Sequence, residues 1–191
     1  MAPILGIYAS QISGHLFAPS GAYDSIATFT SSGSSNLIEF TSIPSTYTHL
    51  QVRIFSRSAV SAAEDTVYIR LNSDASSSYS WHRLRGNGSS ASAGGYYPDG
   101  IMFAGATPGA SATSGIFGTS VVDILDYRNT SKNKTIRSLG GYDASSSGMI
   151  ELYSGSWNST TAVTGVTLAN YTSGNNFAAG SVFALYGIKG N

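Results

Sequence analysis

Histidine and serine are the residue types here that could support metal binding or nucleophilic catalysis, and neither occurs in a spacing that does so. The three histidines are His15, His49 and His82, and no two of them have the HxH or HExxH spacing of a zinc site. Serine is abundant, but no G-x-S-x-G nucleophile elbow is present. The sequence therefore predicts no catalytic residue, no metal site and no cofactor, and we interpret the histidines as surface or hydrogen-bonding residues.

The ten carboxylates are the other candidates for chemistry, since paired acids can act as general acid and base on a glycoside. Asp123 and Asp126 lie three residues apart, which places them on opposite faces of a regular strand. The segment Asn72-Ser73-Asp74 comes nearest to a calcium loop, which needs several Asp or Asn ligands at alternating positions. Several other acids lie in turns, where Asp caps backbone groups, and we interpret these carboxylates as structural.

Aromatic side chains indicate a binding surface. They make up 12 % of the chain, and twelve of them are Tyr. Loop aromatics beside Asn or Asp can stack on a sugar ring and hydrogen-bond its hydroxyls, but Tyr and Trp are also enriched at subunit contacts. Both alternatives stay open. The candidate carbohydrate-binding residues are Trp81, Tyr96, Tyr97 and Trp157.

The composition excludes several classes of partner. Ten Lys and Arg balance ten Asp and Glu, and a nucleic-acid binder needs an excess of basic residues, so no nucleic-acid partner is predicted. The absence of Cys excludes disulfides and leaves packing and oligomerisation as sources of stability. No stretch approaches the roughly 18 uninterrupted apolar residues of a membrane span, and the start lacks a signal peptide's pattern. We therefore expect no membrane partner and synthesis in the cytoplasm.

Short strands must position these residues. Apolar and polar residues alternate over residues 49–54 and 67–71, the pattern of a strand with one buried face. The side chains predicted to face inward on these two strands are Leu50, Val52, Ile54, Val67, Ile69 and Leu71. Nine further strands are predicted at residues 22–30, 36–41, 79–85, 100–104, 116–127, 134–141, 149–153, 163–169 and 181–188.

Turn residues separate these strands, as at Asn87-Gly88, where positive φ closes a hairpin. Many short strands with regular turns predict an all-β fold, an antiparallel β-sandwich that is jelly-roll-like. Residues 88–95 and 105–115 are rich in Ser, Gly and Ala and are predicted to be surface loops.

The first 20 residues are predicted to form an extended N-terminal arm, and residues 21–191 are predicted to form the sandwich domain. Gly and Pro interrupt any regular element in the arm, yet it carries seven large apolar side chains and no Asp, Glu, Lys or Arg. An apolar arm that cannot form its own core usually docks on something else, and an edge strand packed on its own domain is the alternative. The candidate anchoring residues are Ile4, Leu5, Ile7, Tyr8, Ile12, Leu16 and Phe17.

Seven segments resemble small structural proteins of tailed phages, especially phages of cyanobacteria and other aquatic bacteria. The segments are PILGIYAS (3–10), YDSIAT (23–28), FTSIPSTYTHLQVR (40–53), LNSD (71–74), VDILDY (122–127), KNKTIR (132–137) and FALYGIKG (183–190). The likeness spans nearly the whole chain. It implies a non-enzymatic component of the virion surface, in contact with phage capsid or tail proteins, and leaves its place in the particle open.

Three functions follow as hypotheses. The first is a capsid cement (decoration) protein that stabilises the head shell as a homotrimer, because the chain is short and lacks the shaft repeats of a fibre. The second is a tail-fibre or receptor-binding module that recognises host surface polysaccharide. The third is a β-sandwich glycosidase or lyase.

Overall fold

Twelve strands and no helix make up the part of the chain that the structure, a computed structural model, describes: residues 22–145 and 147–190. The strands are β1 (Tyr23–Thr30), β2 (Leu37–Phe40), β3 (His49–Ser56), β4 (Glu64–Leu71), β5 (Tyr79–Gly86), β6 (Ala91–Asp99), β7 (Met102–Pro108), β8 (Gly118–Leu125), β9 (Lys134–Asp143), β10 (Gly148–Trp157), β11 (Val166–Asn170) and β12 (Val182–Ile188). Eleven of them overlap the predicted strands. The all-β prediction is confirmed.

The strands form two antiparallel sheets packed as a sandwich, which confirms the predicted antiparallel β-sandwich. The large sheet has the order β1-β12-β3-β8-β9-β10-β5-β6, and the small sheet has the order β2-β11-β4-β7. Four pairs are nested in the chain: β1 with β12, β2 with β11, β3 with β8, and β4 with β7. The hairpins β5–β6 and β9–β10 are inserted between these strands. They add four strands, here called the extension, to one side of the large sheet.

The core lies between the two sheets and follows the alternation of the sequence. On β3, Leu50, Val52 and Ile54 are buried, and on β4, Val67 and Ile69 are buried together with Leu71, as predicted. Each strand therefore contributes every second side chain to the core, as the period of a β-strand requires. The extension is covered on its inner side by β7, which packs against β9, β10 and β5.

The prediction of surface loops over residues 88–95 and 105–115 is wrong in part. Ala91–Asp99 is strand β6, and residues 105–108 complete β7. Asn87 and Gly88 close the β5–β6 hairpin: Gly88 adopts φ +86°, and Asn87 Oδ1 accepts a hydrogen bond from Ser90 N at 2.8 Å. Pairing with β5 makes this segment a strand although its small side chains show no apolar alternation.

Candidate interaction surface

The extension has an unusual distribution of polarity, with charges inside and leucines outside. On β5, Arg83 and Arg85 point toward the protein interior, whereas Leu84 between them is 60 % exposed. On β10, Glu151 is 1 % exposed, while its neighbours Ile150 and Leu152 are 62 % and 41 % exposed. A sheet that faces water normally has the reverse arrangement. This outer face therefore has the composition of a surface that is covered.

The outward apolar side chains are aligned across four strands. Val121 lies opposite Leu139, Leu139 opposite Leu152, and Leu152 opposite Leu84. The row continues onto Ala93 of β6. Exposed apolar residues scattered singly are common on soluble proteins, but a contiguous patch marks an interaction site. We call Val121, Leu139, Leu152, Leu84 and the adjoining Ile150 the apolar stripe.

Two shallow grooves run beside the stripe. One has a volume of about 530 Å³ and lies between Leu152 and Leu84 on one side and Ala93 and Gly94 of β6 on the other. The other, of about 360 Å³, lies along Leu139, Ile150 and Leu84. The small residues of β6 leave these grooves open toward the sheet edge. Among the described residues, no strand pairs with the outer edge of β6. Such an edge can accept another segment of chain.

A polar border limits the stripe on the side of β3. Gln51 Nε2 donates to Asp123 Oδ1 at 2.9 Å, and Arg53 Nε donates to Gln51 Oε1 at 3.0 Å. The Arg53 guanidinium also lies over the rings of Tyr23 and Tyr186, with its central carbon 5.5 Å and 4.9 Å from their centroids. At the level of Val121 the outer face thus changes from apolar over the extension to polar on β3, while Phe55, two residues after Arg53, remains an exposed apolar position.

The charges beneath the stripe form one cluster that joins the two sheets. Glu151 Oε1 lies 3.6 Å from Arg83 Nη1 and 3.8 Å from Arg85 Nε, and Arg85 Nη2 lies 2.7 Å from Glu64 Oε1 on the small sheet. Burial raises the pKa of the Glu151 carboxyl, and the two arginines offset only part of that rise. The cluster fixes β5 against β10 and so holds Leu84 beside Leu152.

No family model, curated protein or solved structure matches this chain. Over residues 22–145 and 147–190, the structure also contains no helix long and apolar enough to cross a membrane.

The four candidate carbohydrate-binding aromatics fall into two groups. Tyr96 and Tyr97 lie on β6 and are 59 % and 67 % exposed, so their rings are open to solvent. Trp157 is 3 % exposed, and its indole N–H donates to Asp74 Oδ2 at 2.6 Å. Trp81 is half-buried on the inner face, 5.1 Å from the Phe103 ring, and donates to Asp99 Oδ2. Trp157 is therefore a core residue, whereas Trp81 lies directly opposite Tyr96 on β6, and Tyr97 points to the other face of the sheet.

The candidate calcium loop at Asn72-Ser73-Asp74 is a hydrogen-bonded turn. Asp74 accepts hydrogen bonds from Ser76, Ser78 and Trp157, and those from Ser76 and Ser78 do most to hold the pKa of its carboxyl far below the ordinary value. Its oxygens are thus engaged within the fold. In the described ranges no group of three or more His, Asp or Glu side chains is placed to hold a metal ion.

The remaining polar candidates also make local contacts. His49 Nδ1 accepts a hydrogen bond from the Asp126 backbone N–H at 2.9 Å, and His82 is exposed beside the stripe. The anchoring residues proposed for the arm lie outside the described residues, as does His15: Ile4, Leu5, Ile7, Tyr8, Ile12, Leu16 and Phe17.

Proposed function

We propose that this chain is a non-enzymatic structural subunit of a virus particle and that it attaches through the apolar stripe. The observation that carries this proposal is the inverted polarity of the extension, with Glu151 buried while Ile150 and Leu152 face solvent. Burying a Leu or Ile side chain contributes roughly 1.5–3 kcal/mol of transfer free energy, so covering several of them supplies a substantial driving force for association. A formal net charge of zero removes long-range repulsion between copies.

We further propose that the eight nested strands are a jelly roll to which the extension is added. The support is the pairing of the first strand with the last, the second with the eleventh, the third with the eighth and the fourth with the seventh. Viral coat modules use this architecture, and lectin and cupin domains use it too. The fold is therefore compatible with a virion protein, while the surface supplies the functional argument.

The resemblance of seven segments to phage structural proteins supports a tailed phage as the particle. Within it, we propose the role of a cement protein on the head shell, acting as a homotrimer. A subunit that binds only the assembled shell stabilises that shell by mass action. The three-fold symmetry is proposed by analogy with phage decoration proteins. Light scattering measures the oligomeric state, and a stable 19.8 kDa monomer at micromolar concentration would contradict the trimer.

Copy number separates a head protein from a tail protein. Quantitative mass spectrometry of purified particles gives the ratio of this chain to the major capsid protein. A cement role predicts hundreds of copies of this chain per particle, a number comparable to that of the major capsid protein. A ratio corresponding to a few copies would contradict the cement role and favour a place in the tail.

Glycan binding is a second candidate, favoured by the exposure of Tyr96 and Tyr97 on an edge strand. Exposed tyrosine rings can stack on sugars while their hydroxyls make hydrogen bonds. Binding on an array of bacterial surface polysaccharides that is abolished by Tyr97→Ala, and retained by Tyr171→Ala, would support a receptor-binding module. Tyr171 is a matched control because it is also 59 % exposed and follows β11 of the small sheet, whereas Tyr97 lies on the large sheet.

A further inference from the structure

We propose that the apolar stripe is covered by the N-terminal arm of a second copy of this chain. This inference rests on the proposed role of the stripe in attachment and names its partner as another copy, so each subunit is held on the particle through its neighbours. It rests on the composition of residues 1–20, on the width of the stripe and on the position of the polar border.

The arm matches the stripe in chemistry and in length. The stripe and its continuation onto Ala93 cross five strands, β8, β9, β10, β5 and β6, which at about 4.8 Å between neighbours gives a width of roughly 19 Å. An extended chain covers that width with about six residues, at roughly 3.3 Å each. The densest apolar run of the arm, Ile4-Leu5-Gly6-Ile7-Tyr8-Ala9, has six residues and no charge. Successive side chains of an extended chain point to opposite sides, so three of these six residues can face the stripe at once, and the alternate set Leu5, Ile7 and Ala9 is entirely apolar.

The polar border makes the arm of the same copy a poor occupant. The described chain begins beside β1, at the far edge of the large sheet from β6. An arm that crosses the sheet directly at the level of Val121 passes over Arg53, which lies opposite Val121, and beside the pair Gln51 and Asp123. Covering these groups with uncharged residues would remove water from Arg53 and Asp123 without giving them new partners, which is costly.

A neighbouring copy meets no such barrier. From the open side of β6, an incoming arm first contacts Ala93 and then Leu84 and Leu152, in the groove of about 530 Å³. The reach is sufficient, because 20 extended residues span up to roughly 66 Å, whereas seven strand spacings of the large sheet come to about 34 Å. The arm of one copy can therefore extend beyond its own sheet and lie on the next.

Photo-cross-linking of the full chain tests this assignment directly. The chain has no Cys, so Ser154→Cys can be labelled with a benzophenone maleimide at one position. Ser154 is exposed and lines the groove next to Leu152 without belonging to the stripe. Glu39→Cys, on the outer face of the small sheet, is the matched control position.

The proposal predicts a cross-linked dimer on denaturing gels from the Ser154→Cys protein. Chymotryptic mapping should join residue 154 to a peptide from residues 1–20, and adding Ile7→Asp should abolish the product. The Glu39→Cys protein should give no such dimer. A cross-link to the arm within a single chain, a dimer joined through any other segment, or no product above the Glu39→Cys control would overturn the proposal. The result does not depend on finding the protein in a virus particle, so it can fail separately from the proposed function.

Discussion

Leu152 on β10 lies directly opposite Leu84 on β5, and both side chains point away from the core. One position along, Glu151 pairs in register with Arg85 and points inward. The hairpins that extend the large sheet thus turn an ionic cluster toward the small sheet and an apolar row toward the outside. Exposed apolar side chains of this kind are unfavourable in water. Association with another protein surface removes them from water.

Making the stripe polar should abolish attachment without unfolding the subunit. Leu84→Gln combined with Leu152→Gln should change the free energy of unfolding by no more than about 1 kcal/mol in urea titrations, because both side chains are partly exposed and each surface substitution usually changes it by about 0.5 kcal/mol or less. Co-sedimentation with purified particles should fall to background. Thr135→Gln, on the same face of β9 and outside the stripe, is the control and should co-sediment normally. Normal co-sedimentation of the double variant would exclude the stripe as the attachment surface.

Glu151 should make stability decrease with rising pH. Its carboxyl has an ordinary pKa of 4.5, and burial raises that pKa in the folded protein. The folded state therefore binds the proton more tightly than the unfolded state, so this contribution is fully present below the ordinary pKa and is lost as pH rises through the raised one.

Comparison with Glu151→Gln isolates this contribution, since the amide keeps the shape and does not titrate. Urea titrations between pH 4 and pH 7 should show wild type losing stability relative to Glu151→Gln as pH rises. A difference that grows in favour of wild type with rising pH would mean that Arg83 and Arg85 lower the pKa of Glu151 instead.

A buried position on β4 and an exposed position on β3 should respond differently to truncation. Ile69 is fully buried, and Ile69→Ala should cost about 2–5 kcal/mol, the range for deleting a buried aliphatic side chain. Arg53→Ala should cost less, about 0.5–1.5 kcal/mol, because Arg53 is exposed on β3 but donates to Gln51 and lies over two tyrosine rings. Equal losses at both positions in thermal or urea unfolding would show that the register of these strands is wrong.

Arg70 is an exception that the sequence could not reveal. It alternates with Ile69 and Leu71 and so is expected to be exposed, but its Nε donates to the Gly100 carbonyl at 2.9 Å and its guanidinium lies over Tyr68. Arg70→Ala should therefore destabilise the fold by more than Arg53→Ala, by about 1.5–3 kcal/mol if the charged hydrogen bond contributes the usual amount.

The sequence allowed the strands with apolar alternation to be predicted, because burial of one face imposes a period of two. It did not allow β6 to be predicted, since Ala91, Ser92, Ala93, Gly94 and Gly95 have no large side chains and become a strand only by pairing with β5. The Asn87-Gly88 turn was the one sequence signal for β6, because a hairpin turn after β5 requires a second strand to follow it.

The stripe was beyond sequence analysis for a different reason. Ile150-Glu151-Leu152 and Arg83-Leu84-Arg85 show that charged and apolar residues lie on opposite faces, but the alternation does not say which face is inside. The usual rule places the charges outside. In this structure the charged residues face inward instead, because β10 pairs in register with β9 and β7 packs over the inner face of the extension.

A cryo-electron microscopy map of particles that carry this protein tests the central claim most directly. The proposal predicts that the outer faces of β9, β10 and β5 lie against protein density, with Leu84, Leu139, Ile150 and Leu152 all excluded from solvent. A map in which that face is open to solvent while the subunit is held through another surface would contradict it.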